Sequence, residues 1–216
     1  MRTGYPIPAR ESRKEIIVVN SRFIASLAPT FKVEEAKDFI SRIKSEFPDA
    51  SHHVPAYLIG FGNSMIAHCS DAGEPAGTAG RPALAVLQGS GLGDVAVVVT
   101  RYFGGTKLGT GGLVHAYGQA VKEVLIDLPR AEKAPTHTVR LVFPYPYFEN
   151  VHRLVAENKG KILDEDFAVY VTVTALLAVE FFDGFQKELS ELTRGSIRAE
   201  ILETRLDIIM PPGSFR

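Results

Sequence analysis

Residues 95–128, VAVVVTRYFGGTKLGTGGLVHAYGQAVKEVLIDL, hold the decision about the fold. Val95 to Thr100 carries no charge and is rich in β-branched side chains, which marks a buried strand. From Gly112 onward, Leu113, Ala116, Tyr117, Ala120, Val121, Val124 and Leu125 fall at offsets 0, 3, 4, 7, 8, 11 and 12. That spacing is one core-facing stripe of a helix that runs to Leu128. The connection between strand and helix contains Gly104, Gly105, Gly109, Gly111 and Gly112, so the backbone there is almost bare of side chains. A strand, a glycine-rich loop and a helix in this order is the general layout of an anion cradle. The first N–H groups of a helix lack internal partners, its N-terminus is partly positive, and glycine lets a ligand approach the backbone.

A second such loop precedes it. Ser70 to Pro82, SDAGEPAGTAGRP, follows a strand at about Met65 to Cys69 and opens another helix, with Thr78 and Thr110 as the expected N-caps of the two helices. Of the 19 glycines, 12 fall between Gly73 and Gly118, so unusual backbone geometry is concentrated in these loops. The expected phosphate or nucleic-acid site takes backbone donors from Thr78, Gly80, Gly105 and Gly111, with Gly104, Gly109 and Gly112 giving close approach. Arg101 and Lys107 supply charge in a stretch with no acid between Asp94 and Glu123. Arg81 or His52 widens the patch, Tyr102 and Phe103 are placed either to stack on bases or to pack inward, and His115 reaches a ligand near the helix start. Neither loop fits GxxxxGK[ST] or GxGxxG, so nucleoside triphosphate hydrolysis and a dinucleotide fold are not indicated.

Asp71 and Glu74 admit two readings. With His52 they would form an acid/base or divalent-metal set. Alternatively, Asp71 caps its own loop and Glu74 pairs with Arg81 or Arg101. Cys69 ends an apolar strand, where a thiol acts as a small hydrophobe rather than a nucleophile.

Around these loops the chain alternates strands and helices without a regular repeat, so the fold class is α+β. Ile16–Val19 and Phe23–Leu27 read as paired strands around Asn20-Ser21, Val33–Phe47 as a helix, and Val54–Phe61 as a strand. Leu128 to Pro135 loses apolar periodicity and carries two prolines, which reads as a linker and places a boundary near residue 135, between domains 1–135 and 136–216. Beyond it come a strand at 138–143, a helix at 147–157, strands at 161–165 and 168–181, a helix closed by Gly195 and a strand at 196–205. This order, βαββαβ, is that of ferredoxin-like domains. Tyr145, Tyr147 and Tyr170 are candidates for an aromatic sheet face that binds RNA, although this part has 9 Lys+Arg against 12 Asp+Glu.

The formal net charge of −1 excludes a global electrostatic attraction to nucleic acid, so any such affinity must be local. One cysteine excludes an intrachain disulfide and a thiolate zinc site. No apolar run approaches the roughly 20 residues of a membrane span, and the first residues show no signal-peptide pattern. A cytoplasmic protein with no membrane association and no cofactor is expected.

DAGEPAGTAGRP followed by VVVTRYFGGTKLGTGGLVHAY resembles the paired signature of the IMPACT/YigZ family, over about residues 15–125. The resemblance implies a first domain similar to the second domain of a small-subunit ribosomal protein and to domain IV of elongation factor G. It implies a second, ferredoxin-like domain similar to domain V of that factor. It points to translation: RNA or the ribosome as partner, or a translation-regulatory protein, as for eukaryotic IMPACT, which competes for a protein activator of a stress kinase. The family commonly reads DDGEP where this chain has Ala72, which weakens any role for a pair of carboxylates.

Overall fold

The computed structural model describes residues 4–210. It contains two compact units, Pro6–Arg130 and Ala131 onward, the latter together with Tyr5. The division falls inside a strand, because Leu128–Pro135 is not a linker. Its second proline is accommodated in β7 (Arg130–Phe143), where Ala131 and Ala134 point into the interior. A short strand missed in the sequence, β1 (Tyr5–Pro8), lies at the start of the described residues.

In the first unit one antiparallel sheet runs in the order β2-β3-β6-β4-β5, formed by Ser12–Val18, Ser21–Pro29, Val95–Tyr102, His52–Ile59 and Ile66–Cys69. Its central strand explains the uncharged run that marked it. Val95, Val97 and Val99 face a core under α2 (Gly80–Gly89) and α3 (Gly109–Ile126). Ala96 and Val98 face a smaller core under α1 (Val33–Glu46). A strand covered on both faces has no solvent side and therefore no alternation. The stripe of α3 is buried as spaced: Leu113, Ala116, Tyr117, Ala120, Val121 and Val124 all enter the core, and Phe23 meets Tyr117 edge-to-face at 5.2 Å.

The expected strand pair near the N-terminus forms, with its turn one residue earlier than read. Val18 pairs with Ser21, and Val19 (φ 45°) and Asn20 (φ 65°) make the two-residue turn. Positive φ at both central positions gives the twist that suits a tight hairpin.

In the second unit the elements are β7, α4 (Phe148–Glu157), β8 (Lys161–Phe167), β9 (Val171–Ala178), α5 (Val179–Leu192) and β10 (Glu200–Met210). The βαββαβ order is the one expected, and its antiparallel strands run β10-β7-β9-β8. The third strand stops at Ala178 rather than Phe181. Residues 179–181 instead begin α5, whose buried face carries Phe185 and Leu189.

Candidate functional site

The first glycine-rich loop carries its own anion. The carboxylate of Asp71 accepts the N–H groups of Gly77 (2.8 Å), Ala79 (3.1 Å) and Gly80 (2.8 Å), which close the start of α2. Burial alone would raise the Asp71 pKa, but these donors and the charge of Arg81 outweigh it and hold the carboxyl below its ordinary value. Thr78 is not the N-cap; that position is Ala79. The Thr78 N–H and hydroxyl both turn back to the Pro75 carbonyl, at 3.1 and 2.7 Å. The donors expected from Thr78 and Gly80 are therefore already satisfied inside the protein. Gly80 is required for a different reason: a Cβ there would meet the Ser70 carbonyl carbon at 2.7 Å.

This wiring carries a pH-dependent prediction. Asp71→Asn should lower stability at neutral pH by about 1.5–3 kcal/mol, the range for hydrogen bonds to a charged group. In the parent, the Asp71 contribution is complete above the unfolded carboxyl pKa of about 3.9 and is lost as pH falls through the lower folded value. Urea unfolding of both proteins from about pH 7 to about pH 2 should show the difference between them shrinking in acid.

Between the two loops lies a buried ionic group. Glu74, from the first loop, is 8% exposed and accepts from Arg101 Nη1 and from the Tyr117 hydroxyl, both at 2.7 Å. Arg101, expected as an open charge on the surface, is 5% exposed. Its other terminal nitrogen donates to Ser21 Oγ at 3.3 Å, and its guanidinium lies over the Phe23 and Phe103 rings at 5.4 and 5.6 Å. Strand β6 delivers Arg101 inward because it is already committed to the interior by Val97 and Val99. Burial, then the Glu74 carboxylate, raises the Tyr117 pKa far above the ordinary phenol value, so this side chain stays a donor.

His52 Nδ1 donates to the Ala72 carbonyl at 2.9 Å, and its Nε2 stands 3.9 Å from Glu74 Oε1. Ala72, at the family's second acid, has φ 49°. Among the described residues, no cluster of three His, Cys, Asp or Glu side chains is arranged to hold a metal ion; Asp71 is engaged by the loop N–H groups, and Glu74 by Arg101 and Tyr117. Cys69 is half-buried against the core. Burial and then the Asp71 charge raise its thiol pKa, which disfavours a thiolate.

The second loop is held at its start and open at its end. The Gly104 N–H donates to Ser21 Oγ at 3.3 Å and the Phe103 N–H to Ser51 Oγ at 3.1 Å. Tyr102 is tied to Asp49 through its hydroxyl at 2.9 Å, and Arg22 lies over its ring at 5.4 Å. Phe103 is 49% exposed. Gly105 and Gly109 turn the chain at φ 83° and 71°. Thr110 is not an N-cap. α3 starts at Gly109 with Leu108 at the cap position and no side-chain cap. Among the described residues, nothing accepts from the exposed N–H groups of Gly109, Thr110 and Gly111. Gly112 packs on Leu108, and exposed His115 stands further along the helix.

Glu74 and Pro75 of the first loop and Arg101, Phe103, Lys107, Gly109 and Thr110 of the second enclose a cavity of about 350 Å³. The two loops therefore meet, but through Glu74 rather than through the Thr78–Gly80 backbone; His52, Asp71 and Arg81 are not in its lining. Ser21, Ser51 and Tyr117 were missed as members of the site. Only Tyr117 gave a signal, as a polar tip within an apolar stripe. In the second unit, Tyr145 and Tyr170 are exposed, as are Asp164 and Asp166. No helix among the described residues is long and apolar enough to cross a membrane.

The geometry can be set beside known proteins. Residues 19–125 match the Impact N-terminal domain, and 141–196 match a domain of unknown function, DUF1949. The chain is 40% identical over 187 residues to the IMPACT family member YigZ of Escherichia coli, covering 86% of this chain and 92% of that one. Protein IMPACT of Xenopus laevis is 35% identical over 111 residues, 50% of this chain but 35% of its own length. A crystal structure of a hypothetical protein, 38% identical, superposes with a TM-score of 0.62 over 94% of this chain and 99% of that one. A match along nearly the whole length of YigZ, through both glycine-rich loops and the second unit, makes this chain a member of the IMPACT family.

Proposed function

We propose that this protein acts around translation in the cytoplasm by binding RNA or the ribosome, with the second glycine-rich loop and the start of α3 as its phosphate-binding site. One observation carries the reading: α3 begins with uncapped, unpartnered N–H groups beside exposed Lys107, at a cavity that also reaches Arg101. Helix N-termini of this kind hold phosphate through directional donors and a partial positive charge. On the same reading, the first unit is related to domain IV of elongation factor G. The second is ferredoxin-like and related to domain V, a reading supported by the strand order β10-β7-β9-β8.

The test is RNA binding as a function of salt. Lys107→Ala should weaken binding uniformly across sequences and reduce the log-log salt slope by about one unit. Because Arg101 already neutralises Glu74, its charge adds less to that slope than that of Lys107. Parent-like affinity and slope in Lys107→Ala would place RNA elsewhere.

A second reading, a protein-interaction regulator, is favoured by a separate feature. Ala85, Val86, Leu125 and Ile126 line an apolar groove of about 620 Å³ between α2 and α3, and Ile126 is 69% exposed. A partner retained on the immobilised protein after nuclease treatment, and lost in Ile126→Asp, favours this reading over the first.

A further inference from the structure

We infer that the cavity between the loops takes the terminal phosphomonoester of a single nucleotide, free or at the end of an RNA chain, rather than an internal phosphodiester; this deepens, and rests on, the phosphate reading of that cavity. Charge is the first argument. The charged side chains lining the cavity are Arg101, Lys107 and Glu74, two cations and one anion, net +1. The start of α3 adds about half a positive charge. A diester carries one negative charge, whereas a monoester carries about 1.5 to 2 near neutral pH, so the monoester is the better match.

The donors point the same way. The N–H groups of Gly109, Thr110 and Gly111 occupy successive positions of the first helical turn and have no partner among the described residues. With Lys107 they can serve all three unesterified oxygens of a monoester, one acceptor more than a diester presents. Arg101 places a buried cation at the same cavity: its side chain is 6% exposed, its Nη1 pairs with Glu74, and its Nε–H is buried without an acceptor. Such a group is rare in a finished interior.

Gly111 is the third observation. It lies inside α3 at a helical φ, and a Cβ there would meet nothing within 4 Å. Neither backbone geometry nor packing requires glycine at that position, which adjoins Gly109 and Thr110 of the cavity lining. Size then limits the ligand. A cavity of about 350 Å³ lies at the small end of ligand sites, about 300–1,000 Å³, and accommodates one nucleotide with the exposed Phe103 ring as a wall for base or sugar.

The experiment uses the full chain. Anisotropy of 3′-fluorescein pentaribonucleotides, with either a 5′-phosphate or a 5′-hydroxyl, is combined with calorimetry of AMP, adenosine and inorganic phosphate. The 5′-phosphorylated oligonucleotide should bind at least tenfold more tightly than the 5′-hydroxyl form. AMP should bind where adenosine and inorganic phosphate do not, and Lys107→Ala should abolish both preferences with an unchanged unfolding midpoint. AMP binding without the oligonucleotide preference identifies a free nucleotide as the ligand and still supports the proposal. Equal binding of the two oligonucleotides, with no AMP binding, overturns the terminal-phosphate proposal and leaves the backbone reading intact. Inorganic phosphate binding as tightly as AMP overturns the nucleotide assignment, and failure of every probe overturns both readings.

Discussion

Arg101→Leu should destabilise the protein by about 3–5 kcal/mol, the range for removing one member of a buried ion pair. The cost comes from what remains. Glu74, 8% exposed, would lose its cation and keep the Tyr117 hydroxyl as its hydrogen-bond donor, with His52 Nε2 3.9 Å away, and Ser21 Oγ would lose one of its two donors. Glu74→Leu alone leaves the mirror defect, a buried guanidinium without its carboxylate. The triple variant Arg101→Leu, Glu74→Leu, Tyr117→Phe removes every polar member together. It should recover most of the loss, because buried pairs replaced by apolar groups of similar volume are often neutral in stability. Chemical denaturation of the parent, the two single variants and the triple variant measures this non-additivity directly. If the triple variant is as stable as the parent but no longer binds phosphate ligands, the fold has no need of the ionic group and the cavity does.

That distinction also marks where sequence reading reached and where it stopped. The strands and helices of both units were legible because they depend on local periodicity: the stripe of α3 and the uncharged run of β6 each report burial directly. Errors gathered at element ends and in β7, where Pro135 suggested a break that tertiary pairing with β10 and β9 overrides. The site was legible in outline, since glycine density and the Arg101–Lys107 interval named the second loop. Its internal wiring was legible in part. That Asp71 caps its own loop and Glu74 pairs with Arg101 is one of the two readings the residue types allow, and both sets of bonds form. The meeting of Ser21 with Arg101 across 80 residues was not legible, because it depends on the sheet register, which brings β3 beside β6, and no spacing in the sequence encodes it. A glycine-rich loop therefore looks the same whether or not its N–H groups already hold a carboxylate; here those of the first loop do, and those of Gly109, Thr110 and Gly111 have no partner among the described residues.

Three glycines of the second loop separate these roles by experiment. Gly104→Ala should cost about 3 kcal/mol or more, at the upper end of overpacking effects. Its Cβ would lie 2.0 Å from the Asn20 carbonyl oxygen and 2.6 Å from the Ser21 nitrogen, so two backbones must separate and the Gly104 bond to Ser21 Oγ is lost. Gly105→Ala meets nothing within 4 Å but sits at φ 83°, so only conformational strain of about 1–2 kcal/mol is expected. Gly111→Ala has neither problem and should stabilise the protein by about 0.5–1 kcal/mol, the helix-propensity gain of alanine over glycine. Urea midpoints of the three variants should therefore move strongly down, moderately down and up. The opposite movement is expected for nucleotide binding by Gly111→Ala, because the substitution adds bulk within the Gly109–Gly111 segment whose amides the phosphate reading uses. A variant that gains stability while losing ligand identifies a glycine kept for binding, whereas Gly104 serves the close approach of loop and hairpin on which the cavity is built.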